Sequence, residues 1–178
     1  MNPLPEIFCP SLLEGNLVRL TLLCEDDFEK LYEAASDPLI WEQHISKDRY
    51  RKEVFRKFFE SALETKSSFL VSDRKSGTVI GSTRYYEYSE ENDSVCIGYT
   101  FLKREFWGGH YNREMKKLML DHAFQQTGRV LFHISADNQR SYRAAEKTGA
   151  RKIRDFTVEK DGRQVPYFEY CIQKEEWI

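Results

Sequence analysis

The sequence predicts an α/β chain of the α+β type, with a central mixed β-sheet of about seven strands flanked by about four helices. Three observations carry this reading. Runs of β-branched and aromatic residues of strand length recur from 16 to 172. Stretches between them place apolar residues at helical spacing, with charges turned outward. Early strands are joined as hairpins and later ones alternate with helices, which gives a mixed sheet with helices packed on it.

Residues 1–13, with Pro3, Pro5 and Pro10, are expected to lie extended on the surface, and 14–178 to form one domain. Residues 16–23 alternate Leu17, Arg19 and Thr21 against Val18, Leu20 and Leu22, a first strand. Glu25, Asp26 and Asp27 open a helix with acid at the positive end of its dipole. Phe28, Leu31, Tyr32 and Ala35 are its buried stripe, and Asp37-Pro38 ends it. Ser46 is the expected N-cap of a second helix, whose apolar side carries Val54, Phe55, Phe58, Phe59, Ala62 and Leu63. Residues 68–72 and 78–88 flank a hairpin turn ending at Gly77, 91–93 turn again, and 95–102 form the central strand. After the next helix comes a strand over 129–135. Asn138 caps the helix that follows and Gly149 stops it. Residues 153–159 and 165–172 make a last hairpin about Asp161-Gly162, with Pro166 marking a bulge or an edge.

Charge excludes some functions. With 27 basic and 29 acidic side chains, net −2, there is no basic excess to hold a nucleic-acid backbone. No apolar run reaches membrane-spanning length, so no membrane partner is expected. The N-terminus lacks a basic region followed by an apolar one. Cys9, Cys24, Cys96 and Cys171 are scattered, which suits reduced thiols in a cytoplasmic protein. No Cys-x-x-Cys occurs and no histidine stands at ligand spacing from a cysteine, so no metal is expected.

The chain is organised about 96–126. A strand (Val95-Cys96-Ile97-Gly98-Tyr99-Thr100-Phe101-Leu102) runs through Trp107-Gly108-Gly109-His110-Tyr111-Asn112 into a helix bearing Met115, Leu118, Met119 and His122 at helical spacing. A glycine-bearing turn between strand and helix aims free backbone N–H groups and the helix dipole at one place, a site suited to a pyrophosphate. A second motif runs from Asn138 through Ser141 to Glu146-Lys147-Thr148-Gly149.

Together these motifs resemble the GNAT superfamily of acetyl-CoA-dependent N-acetyltransferases. The likeness is to the branch that acetylates ribosomal-protein N-termini, in its Ile-Gly-Tyr strand, Trp-Gly loop and Asn-x-x-Ser…Glu-Lys-x-Gly helix. It extends from about Glu14 to the C-terminus. The resemblance implies acetyl-CoA as co-substrate. Tyr99, Thr100, Phe101 and Leu102 would meet the pantetheine arm, Trp107, Gly108, Gly109, His110, Tyr111 and Asn112 the pyrophosphate, and Asn138 and Ser141 the pantetheine and phosphate side. Lys103, Arg104 and Arg113 are further phosphate candidates. Trp41, Glu42 and Tyr85, with Tyr86 and Tyr167, would line the acceptor cleft. His110 and Asn112 stand where the family has small residues, which would crowd the phosphates or strain the backbone. The family's acid tyrosine position is Ala145.

Glu87, on the strand beside the central one, is the candidate catalytic base, with its pKa raised among aromatics. Backbone N–H groups near Tyr99 to Phe101 would hold the thioester oxygen. Two functions stay open. One is direct acetyl transfer in a ternary complex to a small-molecule amine or a protein N-terminus. The other is a non-catalytic acyl-CoA-binding or structural module. An edge strand near the C-terminus offers a homodimer contact.

Overall fold

The apolar runs close into one sheet. The structure, a computed structural model, describes residues 4–160 and 162–177. The strands are β1 (Leu12–Glu14), β2 (Val18–Leu22), β3 (Ser68–Asp73), β4 (Val79–Ser89), β5 (Ser94–Leu102), β6 (Arg129–Ser135), β7 (Arg151–Lys160) and β8 (Arg163–Gln173). The helices are α1 (Phe28–Ala35), α2 (Lys52–Glu64), α3 (His110–Ala123) and α4 (Gln139–Glu146). Sheet order is β1-β2-β3-β4-β5-β6-β8-β7. Every neighbouring pair is antiparallel except β5–β6. The mixed sheet is as expected, with eight strands rather than about seven. The added strand is β1, inside and just beyond the segment read as extended.

That segment is not a loose tail over its described part. Phe8 is fully buried against Tyr85 and Tyr88, so residues 4–13 pack with the domain; Met1 to Pro3 lie outside the described residues. The second helix begins at Lys52 and not at Ser46. Ser46 instead accepts the Lys160 ammonium at 3.1 Å, and 41–51 form turns around Trp41. Pro166 sits one residue past the last β6–β8 pair, Ser135 with Tyr167, where its carbonyl accepts the Ala136 N–H at 3.0 Å and β7 lies on the other side. Gly162 takes φ +72°, as the last turn requires; Asp161 lies outside the described residues.

Two apolar clusters cover the two faces. Phe28, Leu31, Trp41, Phe55, Phe58, Phe59 and Phe101 lie on the α1/α2 side. Tyr85, Val95, Ile97, Met115, Met119, Val130 and Phe132 lie on the α3/α4 side. The pleat explains the split, since Tyr85 and its neighbour Arg84 must point oppositely.

α3 is fixed at its N-terminal end by polar contacts across the sheet. The Glu114 carboxylate accepts the backbone N–H groups of Asn16, Leu17 and Val18 at 2.9, 2.7 and 2.9 Å. The Tyr111 hydroxyl donates to Asp73 at 3.0 Å. Glu114→Ala strands three donors in the β1–β2 turn, and urea denaturation should show a loss of about 2–3 kcal/mol. A loss under about 0.5 kcal/mol would show the anchor to be idle.

Candidate active site

The parallel pair β5–β6 is short. Ser94, Val95 and Cys96 pair with Arg129, Val130 and Leu131, and there the pairing ends. Both strands continue, so from Ile97 and Phe132 onward a gap stands between them, with β5 backbone groups facing it. A bulge in β5 sharpens the bend. The β4 partners shift between Ser82 and Arg84, and Tyr99 takes φ +52°. A tyrosine in that conformation is strained by about 1–2 kcal/mol, and strain of this kind gathers where function requires it.

At the mouth of the gap lies the N-terminus of α3. Its N-cap is Gly109, and no side chain caps it. The first-turn N–H groups have no partner within the helix. Gly108 carries the positive φ of +70°, and a Cβ there meets nothing within 4 Å. The space over the turn is open, as a phosphate requires. His110 and Asn112 take ordinary helical φ, because the left-handed position falls on Gly108. The strain expected of them is therefore absent, and His110 is exposed. These residues fit a pyrophosphate. Trp107 Nε1 donates to the Leu102 carbonyl at 2.8 Å, and Arg140 stacks on the Trp107 ring with Cζ 4.0 Å from its centroid. Arg140 also donates to the Ile40 carbonyl at 2.7 Å. It thereby joins the 40–43 segment to the loop before α3.

Asn138 and Ser141 stand at the start of α4. Asn138 is buried, and its side chain accepts the Ser141 N–H at 3.1 Å. The carbonyl oxygen of Asn138 is thus spent on the helix cap. Ala145 is buried in the core, and Tyr142 packs on Phe168 at 5.9 Å. Among the phosphate candidates, Arg104 is paired with Asp37 and Lys103 lies 3.8 Å from Glu33. Those residues line a surface cavity of about 510 Å³ beside α1, which shares none of the strand or helix-cap residues named above.

Lys116, one turn and a half into α3, is among the helix charges expected to turn outward, and the structure turns it inward instead. It is 8% exposed and stands between the parted strands. Nζ donates to Thr100 Oγ1 on β5 at 2.8 Å and lies 5.6 Å from the Phe132 ring on β6. Burial pulls this ammonium down to about 7.

The opposite face carries the expected acceptor side, with changes. Tyr85 is fully buried on the α3 side, and its hydroxyl donates to the Met119 carbonyl at 2.6 Å. It cannot line the cleft; Tyr86, on the other side of the pleat, takes its place and meets Tyr99 edge-on at 5.1 Å. Trp41 is 1% exposed, a wall behind the face, with Nε1 donating to the Ala35 carbonyl at 2.7 Å. Glu42 is exposed, 3.7 Å from Arg140. Arg49, Arg84 and Tyr167 complete the face, with His44 against Trp41 at 5.1 Å. Burial, then Arg49, Arg140 and Lys160, pulls His44 down to about 3, so it stays neutral.

Glu87 sits on a second bulge, with φ +49°. Its side chain is 53% exposed, so the desolvation expected from neighbouring aromatics is missing. The structure instead gives it a partner from far along the chain. His133 Nδ1 lies 3.4 Å away, and His133 Nε2 lies 2.8 Å from Glu169, which Arg154 holds at 2.9 Å. Cys96 lies 3.9 Å from both Glu87 and His133. Ligand atoms of Glu87, Cys96 and His133 all fall within 4.8 Å of one another, a grouping hidden by their separation in sequence. Burial, then Glu87 and Glu169, pushes the Cys96 thiol well up, so it is neither a ready nucleophile nor a ready thiolate ligand.

A profile for the acetyltransferase (GNAT) domain matches residues 18–151. The chain belongs to the GNAT acetyltransferase family, and is an acyltransferase of the N-acetyltransferase type. A GCN5-related N-acetyltransferase from Brucella melitensis superposes with a TM-score of 0.83 at 21% identity, over 94% of this chain and 82% of that one. Spermidine N-acetyltransferase from Vibrio cholerae, solved with CoA and spermine, gives 0.69 at 15% identity over 91% and 98%. Mycobacterium smegmatis RimJ, solved with CoA-disulfide, gives 0.69 at 17% identity over 93% and 85%. At these identities the likeness is one of fold. No helix among the described residues is long and apolar enough to cross a membrane.

Lys116 makes stability depend on pH with a definite sign. Between about 7 and 10.5 the unfolded chain holds a proton on this amine that the folded chain does not, so stability rises with pH across that window. Relative to Lys116→Met, the wild type should gain about 2 kcal/mol between pH 7 and pH 9 in chemical denaturation. A difference independent of pH would show that Lys116 is charged and solvated in the fold.

Proposed function

We propose that the protein transfers the acetyl group of acetyl-CoA directly to a primary amine in a ternary complex. The gap between β5 and β6 beside the uncapped N-terminus of α3 carries this reading. N–H groups from Gly108 to Asn112 would hold the pyrophosphate, and the β5 backbone from Tyr99 to Leu102 that faces the gap would pair with the pantetheine amides. Asn138 and Ser141 shape that wall through the α4 cap. Acetyl-CoA supplies the activated acyl group; the chain positions, desolvates and deprotonates.

Glu87 is the proposed base, with His133 as the next proton carrier and Glu169 orienting His133. An α-amine, of pKa about 7.7–8.0, asks less of that base than a lysine at about 10.4. The raised Cys96 thiol supports direct transfer over an acyl-cysteine route. The acceptor, a small amine or a protein N-terminus, would enter over Tyr86, Tyr99 and Tyr167. The Ile97-Gly98-Tyr99 strand and Trp107-Gly108 loop support the branch that acetylates ribosomal-protein N-termini. Free Cys96 and Cys171 suit a cytoplasmic location. The outer edge of β7, with Ile153 and Val158 exposed, is the proposed homodimer contact.

Calorimetry with acetyl-CoA should give micromolar binding, and an amine panel should release CoA thiol. Binding without turnover on any amine would favour the non-catalytic acyl-CoA module. Glu87→Gln should lower kcat about 100-fold and leave acetyl-CoA affinity unchanged. A variant with wild-type kcat removes Glu87 from the mechanism.

A further inference from the structure

The acceptor face holds positive charge that its own carboxylates do not answer. Arg84, in the middle of β4, is 3% exposed. Its Cζ lies 4.0 Å from the Tyr99 ring centroid and 5.3 Å from that of Phe58. Nη1 makes two long contacts with Ser61 of α2, to the carbonyl at 3.3 Å and the hydroxyl at 3.4 Å. Nη2 is buried with no hydrogen-bond partner. Arg49, half-buried in the segment before α2, lies over Trp41 at 5.0 Å and Phe58 at 4.5 Å. Among the described residues no carboxylate comes within ion-pair distance of either guanidinium.

Asp48 attracts Arg49 from beyond ion-pair distance, and the other acids nearby are already engaged. Glu169 meets Arg154 and His133, Glu42 meets Arg140, and Glu87 faces His133. Burial lowers both arginines, Arg84 to about 10, so both remain cations at neutral pH. Both guanidinium groups lie against the Phe58 ring, which places them about one spot. A buried guanidinium donor left unpaired is costly, and proteins keep such groups where a ligand supplies the missing acceptor. A planar fork of donors matches a carboxylate. The buried rings of Tyr86 and Phe58 floor the spot and reduce the screening of the pair, with Tyr99 at its exposed edge.

We infer that Arg49 and Arg84 bind a carboxylate of the acceptor, so that the amine acetylated belongs to a molecule bearing a negative charge and not to a polyamine. This rests on the acetyltransfer reading, within which Glu87 takes the amine end and the arginines the acid end. The shared chemistry is an amine with a carboxylate; a free amino acid and an acidic peptide N-terminus are its two sources.

Matched pairs test it, in calorimetry against the CoA-saturated protein and in acetyl-CoA turnover: 4-aminobutanoate against 4-aminobutanamide, Ala-Glu against Ala-Gln-amide, and spermidine alone. The carboxylate member should bind at least about tenfold more tightly than its amide. Whichever pair shows the larger ratio identifies the source. Arg49→Met and Arg84→Met should each erase the preference while CoA affinity stays unchanged, and Arg49→Lys should keep part of it. Arg49→Met, at a half-exposed position, serves if Arg84→Met does not fold. Equal binding of acid and amide, or tighter binding of spermidine, overturns the inference while leaving acetyl transfer standing. Failure of acetyl-CoA to bind overturns the acetyltransfer reading instead. The carboxylate arm is then decided on the apo protein, where loss of acid binding in Arg49→Met supports the anion site and no acid binding overturns it.

Discussion

The structure depends on how soon β5 and β6 part company. Three residue pairs join them, and then each strand follows its other neighbour, β5 along β4 and β6 along β8. A sheet normally satisfies its backbone by lateral pairing. Here a wedge of unpaired main chain opens inside an eight-stranded sheet, and a ligand that can hydrogen-bond like a strand is its natural filling. The uncapped start of α3 lies at the same mouth, so amide-rich and phosphate-rich parts of one molecule are answered together.

Two bulges place chemistry on the rim of that wedge. Tyr99 and Glu87 both take positive φ at points where β4 and β5 slip by a residue. Each slip turns a side chain onto the α1/α2 face that regular pleating would send elsewhere. Glu87 thereby reaches His133, and Tyr99 reaches Arg84. On the reverse face Lys116 and Thr100 stand across the gap, with an amine whose charge burial disfavours. The gap thus has a nearly neutral floor on one side and a charged, aromatic rim on the other.

Anchoring of α3 shows how distant residues hold this geometry. Glu114 reaches the β1–β2 turn and Tyr111 reaches the end of β3. Gly15 belongs to the same contact, since a Cβ there would fall 2.5 Å from the Glu114 carboxylate. Arg140 does the same on the acceptor side, linking α4 to the 40–43 segment and to Trp107. The wedge is therefore clamped by contacts spanning nearly a hundred residues of sequence.

Local patterning alone determined most of the architecture: alternation in β2, the stripe of α1, the cap at Asn138, the turn at Gly77, and the strand–glycine–helix run that marks the family. These depend on contacts within a few residues, which a sequence displays directly. Alternation at Tyr85 shows two faces of the strand without saying which is which, and packing against Met119 puts it on the α3 side. A good capping residue such as Ser46 does not itself start a helix, and α2 starts at Lys52. His133, Arg84 and Arg49 carried no sign in the sequence, and Lys116 reads there as an outward charge although the fold buries it. Their roles come from partners brought together by the strand crossover and by two one-residue slips in register, and the free energy that fixes those is spread over the whole core. The sequence by itself determined which elements form and which family they belong to. The tertiary structure decided which side chains share the rim of the gap, because charge and burial act across space and not along the chain.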